Sequence, residues 1–186
     1  MEGNLNRIKD NNARNGTVIT VWYLFCAVTA MIWILRWGIA GRTIISCLFL
    51  FFLALIAECD IRTMRIPDRL VIVCGAAGLL SVPFFPEISL TDRGLGMAGV
   101  SVLLLCITLL APGSFGGGDI KLMAVSGLFL GWEGNLRAFS LAVFTAGAFC
   151  LWMLLWGKLE RKARISFAPF ICAGILMQIT GSGCLW

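Results

Sequence analysis

Two aspartates in this chain are placed where acid–base chemistry could be done. Asp60 ends one apolar run, and Asp119 opens another after the glycines Gly116, Gly117 and Gly118. Two carboxyl groups that face one water-filled recess can activate a water molecule, because one takes up a proton while the other donates one to a carbonyl oxygen. This is the chemistry of aspartic proteolysis, and it needs neither a metal nor a cofactor.

Each aspartate also has a structural explanation, and spacing alone leaves both explanations open. Asp119 could be the N-cap of the helix that follows it, a position that suits aspartate. Asp60 could be a solvated residue paired with Arg62 or Arg65. A carboxylate at the end of a helix gains nothing from the helix dipole, however, so capping does not explain Asp60. Asp68 fits the first turn of the next helix, where we expect a structural role.

The composition excludes several other kinds of catalytic site. The chain contains no histidine, which removes Ser-His-Asp and Cys-His catalysis and a zinc site of the usual histidine type. None of its eight cysteines forms a Cys-x-x-Cys pair, and most lie inside apolar runs. We therefore expect small buried residues rather than a disulfide framework. No metal and no cofactor are expected.

The balance of apolar and charged residues indicates a membrane protein. Hydrophobic residues make up 59% of the 186 positions and charged residues 13%, against about 25% charged residues in a typical soluble domain. Intrinsic disorder requires the opposite composition. The net charge of +5 is spread over short segments without a basic stripe, so the expected partner is the lipid bilayer and not nucleic acid. We predict one membrane-embedded domain over residues 1–186.

The apolar segments predict an all-α, polytopic protein with about seven transmembrane helices, six or eight being alternatives. A spanning helix needs about 20 mostly apolar residues, and the second and fifth segments are shorter than that. The first segment follows a polar tail, residues 1–14, without a small-residue cleavage site, so we expect a retained helix rather than a signal peptide. The predicted segments are 15–35, 43–57, 70–86, 94–118, 119–132, 138–157 and 165–186.

The basic residues predict a cytoplasmic N-terminus. With seven crossings, eleven Lys and Arg residues lie on the side of the N-terminus and four on the other side, and cytoplasmic loops carry the excess of positive charge. Asp60 and Asp119 then both face the cytoplasm. The apolar stretch 120–132 is too short to cross the membrane from its surface, which places Asp119 in a recess. The preceding glycines allow a positive φ and a close approach to another segment.

Three segments of the sequence are similar to motifs of a known family. Residues 60–68, DIRTMRIPD, are similar to an Asp followed by a basic stretch and Ile-Pro-Asn/Asp. Residues 116–124, GGGDIKLMA, match Gly-x-Gly-Asp-x-Lys-Leu-x-Ala. Residues 164–174, RISFAPFICAG, are similar to a Pro-Phe-x-Pro-Phe segment, with Ser166 in place of the first proline. The chain thus resembles the prepilin peptidases, or type IV leader peptidases, which are polytopic GxGD aspartic proteases.

The resemblance implies a site and a substrate. It implies that Asp60 and Asp119 are the catalytic pair, that Gly116 and Gly118 shape the loop, and that Lys121 lies beside the site. The implied substrates are prepilins or pseudopilins, whose basic leader ends in Gly before an apolar helix. The implied place of cleavage is the cytoplasmic face of the bacterial inner membrane, which agrees with the side derived from the basic residues.

One departure from the larger family members bears on a second activity. Those members carry an additional N-terminal region, in many cases with paired Cys-x-x-Cys motifs, that is associated with methylation of the new N-terminus. Residues 1–42 here contain one apolar helix and no such motif. We therefore expect a peptidase without methyltransferase activity and without dependence on S-adenosylmethionine.

Two other classes of function are alternatives. A preflagellin-type or presenilin-like GxGD protease would use the same acids, but the presenilin type has Tyr before its first Asp, whereas Cys59 precedes Asp60 here. A non-catalytic scaffold or small transporter would use buried acids for ion coupling. An inverted repeat would favour transport, and no repeat is visible in the sequence. The sequence does not define the oligomeric state.

Overall fold

A computed structural model of the chain describes residues 2–111, 114–156 and 166–181, without the side chains of residues 2–15, 17, 18, 36 and 37. Within these ranges the chain forms helices joined by turns and contains no strand, which confirms the predicted all-α class. The elements are α1 (Glu2–Trp37), α2 (Gly41–Thr63), α3 (Asp68–Leu80), a 3₁₀ turn (Val82–Phe84), α4 (Leu90–Leu110), α5 (Gly117–Leu155) and α6 (Ala168–Gly181).

The described helices have the length and surface of a polytopic membrane protein. Helices α2, α4 and α5 are long and apolar enough to cross a bilayer, and Ile19–Leu35 in α1 and the whole of α6 are shorter apolar helices. Large apolar side chains cover the outside; Leu110 is 87% and Phe144 77% exposed. Lipid tails are as apolar as these side chains, so a surface that would be costly in water is stable in a membrane.

The predicted fifth and sixth segments, 119–132 and 138–157, correspond to the two halves of α5, which is interrupted at Gly131, whose φ of 72° and ψ of −175° are not helical. Asn135 Nδ2 donates to the Met123 carbonyl at 3.0 Å, a contact that one straight helix could not make between residues twelve positions apart, so the chain turns back at this break. Glu133 and Arg137, the charges that divided the two segments in the sequence, form an ion pair one turn apart just after the break. The predicted fourth segment is too long, because α4 ends at Leu110. Residues 157–165 and 182–186, which contain the predicted basic segment 158–164 and Cys184, lie outside the described residues.

A buried arginine satisfies backbone groups beside the interruption in α5. Arg93 was expected in a loop, but it lies in the first turn of α4 and is 2% exposed. Its guanidinium donates to Ser81 Oγ at 2.9 Å, to the Phe85 carbonyl at 3.1 Å and to the carbonyl of Leu128, one turn before Gly131. Backbone carbonyls next to a helix break lack regular partners, so Arg93 stabilises the break by supplying donors.

The helices that carry the two aspartates are held together by their neighbours. Helices α3 and α6 each pack against both α2 and α5. Phe49 of α2 also stacks on Phe129 of α5, with ring centroids 4.2 Å apart. α4 packs very closely on α5, since a Cβ added to Gly127 would lie 2.2 Å from the Gly96 carbonyl carbon. Small residues permit this close packing, which is common between membrane helices.

An exposed ion pair connects the start of α2 to the turn before α4. Arg42 Nη2 lies 2.5 Å from Glu87 Oε1. The backbone N–H of Glu87 and then the Arg42 guanidinium lower the pKa of the Glu87 carboxyl, because both interactions favour its charged form. Water screens an exposed pair of this kind, so its contribution to stability is small.

Candidate active site

Asp60 and Asp119 line the same cavity. The cavity has a volume of about 290 Å³ and lies between the end of α2 and the start of α5. Both side chains are largely buried, Asp60 being 7% and Asp119 8% exposed. The structure thus brings together the two acids that the sequence singled out. The remaining lining residues come from the α2–α3 turn, the start of α3 and the glycine run: Met64, Arg65, Ile66, Asp68, Gly116, Gly117 and Gly118.

Asp60 is bound to the N-terminus of α6. It lies in the last turn of α2, and its Oδ2 accepts a hydrogen bond from Ser166 Oγ and another from the Ala168 backbone N–H at 3.2 Å. Phe167, which precedes α6, has no side-chain acceptor with which to cap that helix. The carboxyl of Asp60 supplies the acceptor instead, so the contact fixes Asp60 and stabilises α6 at the same time.

The alternative of a solvated Asp60 paired with Arg62 or Arg65 is wrong. None of the ion pairs among the described side chains involves Asp60. Arg62 instead donates from Nε to Glu58 Oε1 at 2.8 Å, and Glu58 also accepts a hydrogen bond from the Tyr23 hydroxyl of α1. Glu58 therefore joins α1 to α2, while Asp60 is bound to the start of α6.

Asp119 is bound to its own glycine loop. The N-cap of α5 is Gly116, so the alternative in which Asp119 is itself the N-cap is wrong. Asp119 Oδ2 accepts a hydrogen bond from the Gly116 N–H at 3.1 Å, and the Asp119 N–H donates to the Gly116 carbonyl at 3.0 Å. The side chain thus helps to close the first turn of α5, where a carboxylate is also favoured by the helix dipole.

The glycine run permits a close approach but does not use a positive φ. The sequence allowed a positive φ here, but none of the three glycines has one. A Cβ added to Gly118 would lie 2.9 Å from Ile66 Cβ, whereas one added to Gly117 would meet no atom within 4 Å. Gly118 therefore allows the start of α5 to lie against the α2–α3 turn, and Gly116 contributes through its hydrogen bond to Asp119.

Lys121 does not line the cavity, but it pairs with Asp68 of α3, which does. Its Nζ is 2.7 Å from Asp68 Oδ1. Asp68 is the first residue of α3, after the N-cap Pro67, and so occupies the positive end of that helix as predicted. Both side chains are more than half exposed, so the pair contributes at most about 1 kcal/mol. Its geometric effect is to join α3 to α5 beside the two aspartates.

Ser166 and Ile66 belong to the site but were not singled out in the sequence. Ser166 was visible only as the residue that replaces a proline of the third motif. Its partner Asp60 lies 106 positions earlier in the chain, and no periodicity connects two residues at that separation. Ile66 was visible only as part of the first motif, residues 60–68. Within the described ranges the cysteines are not disulfide-bonded, and no cluster of acids or thiols is suited to a metal ion.

The fold and the site define a class: a polytopic membrane protein in which two buried aspartates, at the ends of two helices, share one cavity. Residues 47–151 match the model of the type IV leader peptidase family. This range extends from α2 to α5 and includes both aspartates. The chain belongs to the type IV leader peptidase family, which confirms the resemblance found in the sequence motifs.

Three curated relatives agree with this assignment, and each is named prepilin leader peptidase/N-methyltransferase. The protein of Bacillus subtilis is 33% identical over 147 residues, which are 77% of this chain and 58% of the relative. The protein of Aeromonas salmonicida is 28% identical over 176 residues, which are 91% of this chain and 59% of the relative. The protein of Burkholderia pseudomallei is 29% identical over 120 residues, which are 62% of this chain and 39% of the relative. The chain thus spans less than two thirds of the length of these relatives. No solved structure matches it.

Proposed function

We propose that this protein is a membrane aspartic endopeptidase that removes the basic leader of prepilins or pseudopilins by cleavage after a Gly residue. The observation that carries the proposal is the presence of Asp60 and Asp119 in one cavity. Membership of the leader peptidase family and the names of the curated relatives support the same substrate class.

The reaction uses the two carboxyls in opposite protonation states. The proposed mechanism requires the two carboxyls to share one proton, as the carboxyl pair of aspartic proteases does. The ionised member takes a proton from a water molecule, whose oxygen attacks the carbonyl carbon of the Gly residue at the end of the leader. The protonated member donates its proton to the carbonyl oxygen. As the tetrahedral intermediate collapses, the peptide C–N bond breaks and a proton passes to the new amine.

The hydrogen bonds of the pair leave one oxygen of each carboxyl for this chemistry. Every hydrogen bond that the described structure assigns to the two side chains ends on Oδ2: Ser166 and Ala168 donate to Asp60, and Gly116 donates to Asp119. We assign the reacting water and the substrate carbonyl to the two Oδ1 atoms. Each carboxyl is then held by one oxygen and reacts through the other.

The position of the cavity suits a substrate that crosses from water into lipid. Both aspartates lie at helix ends, Asp60 in the last turn of α2 and Asp119 in the first turn of α5, and both helices are long enough to span a bilayer. The basic residues near these ends, among them Arg62 and Arg65, support a position at the cytoplasmic face. A basic leader would remain in the cytoplasm, while the apolar helix that follows it would enter the membrane.

The test is co-expression with a tagged prepilin, followed by N-terminal sequencing of the product. Asp60→Asn and Asp119→Asn keep the shape of the side chains but remove the exchangeable proton. We expect each to lower the cleavage rate by about 100-fold or more, the typical contribution of a general acid or base. Glu133→Gln is the matched control, because it also replaces a carboxylate by an amide but lies on the exposed surface of α5, paired with Arg137.

The outcomes separate the proposal from its alternatives. Loss of cleavage in both aspartate variants, with normal membrane insertion and an active Glu133→Gln control, supports it. Wild-type cleavage rates in both variants would show that the acids are structural or couple ions. Cleavage of a preflagellin but not of a prepilin by the wild-type protein would favour the preflagellin-type alternative.

A further inference from the structure

Ser166 stands out because its hydroxyl contacts one of the two aspartates and has no place in the reaction described above. It lies immediately before α6, outside the residues that match the family model, and donates from Oγ to Asp60 Oδ2. The family motif has proline at this position. Proline has no hydroxyl to donate, so a proline at this position could not make the contact.

The two donors on Oδ2 constrain Asp60 more than one donor would. The Ala168 N–H holds this oxygen at 3.2 Å, but a carboxyl held by one hydrogen bond can still rotate about it. A second donor on the same atom, the Ser166 hydroxyl, restricts that rotation. Hydrogen bonds to a carboxylate are among the stronger ones in proteins, so the loss of either donor would loosen the carboxyl group.

We propose that Ser166 is a positioning residue: by binding Oδ2 it directs Oδ1 of Asp60 towards the reacting water. This inference rests on the proposed function, because the direction of Oδ1 matters only if Asp60 acts on water. Ser166 itself touches no reacting atom. Its loss therefore lowers the rate of the chemical step and leaves substrate binding nearly unchanged.

The kinetic test compares Ser166→Ala, Ser166→Thr and wild type in steady-state cleavage of a prepilin by the purified protein in detergent. Loss of one hydrogen bond to a charged group predicts a fall in kcat of about tenfold to 100-fold, with KM within about twofold of the wild-type value. Threonine keeps the hydroxyl, so Ser166→Thr restores most of kcat. Ser140→Ala is the matched control, since its hydroxyl bonds only to the Leu136 carbonyl of its own helix.

A double-mutant cycle tests the contact without relying on activity. The melting temperatures of wild type, Ser166→Ala, Asp60→Ala and the double variant are compared in detergent. If Ser166 acts through Asp60, its replacement lowers the melting temperature in the wild-type background and has little effect in the Asp60→Ala background, because contacting residues are not additive.

The two readouts distinguish the failure of this inference from the failure of the proposed function. An active wild type with an unchanged kcat in Ser166→Ala overturns the positioning role, as does a reduced kcat that Ser166→Thr does not restore. A wild type that cleaves no prepilin overturns the proposed function, and the cycle then decides the contact: coupling supports the link between Ser166 and Asp60, and additivity refutes it.

Discussion

Replacing Gly118 by alanine is expected to disturb the site through one identified contact. The added Cβ would lie 2.9 Å from Ile66 Cβ, and 3.1 and 3.2 Å from its Cγ1 and Cδ1 atoms. Ile66 Cβ is bonded directly to the backbone, so a rotamer change cannot relieve the clash. The α2–α3 turn must move away from the start of α5. Asp60 ends the helix before that turn and Asp119 lies one residue after Gly118, so the two carboxyls are displaced relative to each other.

Gly117→Ala is the matched control, because a Cβ at that position would meet nothing within 4 Å. Both substitutions are in the first turn of α5 and gain similar helix propensity, up to about 1 kcal/mol. The difference between them therefore isolates the contact with Ile66. Overpacking costs about 1–3 kcal/mol, and a protein of this size loses about 2–4 °C of melting temperature per kcal/mol. We expect Gly118→Ala to melt about 2–12 °C below Gly117→Ala.

The assay measures thermal unfolding and prepilin cleavage for both variants in the same detergent. A displacement of about 1 Å between catalytic groups can lower a rate by roughly 100-fold. We therefore expect a cleavage rate for Gly118→Ala that is about tenfold to 100-fold below that of Gly117→Ala. Equal melting temperatures and equal rates for the two variants would refute the argument, since they would show that Ile66 does not limit the space beside Gly118.

Three further predictions concern stability. Arg93→Met removes the donor to Ser81 Oγ and to the Leu128 carbonyl, at about 1–3 kcal/mol for each buried group that loses its partner. It should lower the melting temperature well below that of the exposed control Arg137→Met, and a similar value for both would contradict the role of Arg93. Gly127→Ala places a Cβ against the backbone of α4 and should destabilise the protein by about 3 kcal/mol or more. Gly147→Ala, whose Cβ would lie in open space on the same element, should not be destabilising. Equal melting temperatures for the two variants would count against the close packing of α4 on α5. The lowered pKa of Glu87 means that its ion pair stabilises the fold above the ordinary pKa of glutamate, and that this stabilisation disappears as the pH falls through the lowered value. As the pH is lowered, the melting temperature of the wild type should therefore fall more than that of Glu87→Gln. Parallel curves of melting temperature against pH for the two proteins would contradict this role of Glu87.

The positions of the two aspartates were predictable because each marks an end of an apolar run. Helix ends are where charge appears in a membrane sequence, and the basic residues placed both ends on one side. Whether the two acids share one site was left open by the sequence, and the structure shows that both line one cavity. The all-α class followed from the same apolar runs.

Arg93 was the main source of error in the elements. It lies between the predicted segments 70–86 and 94–118, yet it belongs to α4, where backbone carbonyls accept hydrogen bonds from it inside the protein. These partners are known only from the packing of the chain, which a search for apolar runs does not include. The division at Glu133 and Arg137, by contrast, agrees with the interruption of α5 at Gly131.

The contact between Ser166 and Asp60 shows the other limit. Its two residues are 106 positions apart, and whether the start of α6 reaches the end of α2 depends on how α2, α5 and α6 pack together. The motif comparison showed only that Ser166 stands where the motif has proline. The fold shows that its hydroxyl donates to Asp60.

The packing of α3 and α6 against both aspartate-bearing helices has a consequence for inhibitor design. Since α2 and α5 are bridged in this way, the packing of the helices itself holds the carboxyls of Asp60 and Asp119 in one cavity. A ligand that places a hydroxyl group between the two carboxyls would not need to draw α2 and α5 together. The entropic cost of ordering these helices is already met on folding, so it does not reduce the affinity of the ligand. Its affinity would then depend mainly on how well it fits a space of about 290 Å³, and small rigid compounds should use that space more efficiently than long peptides.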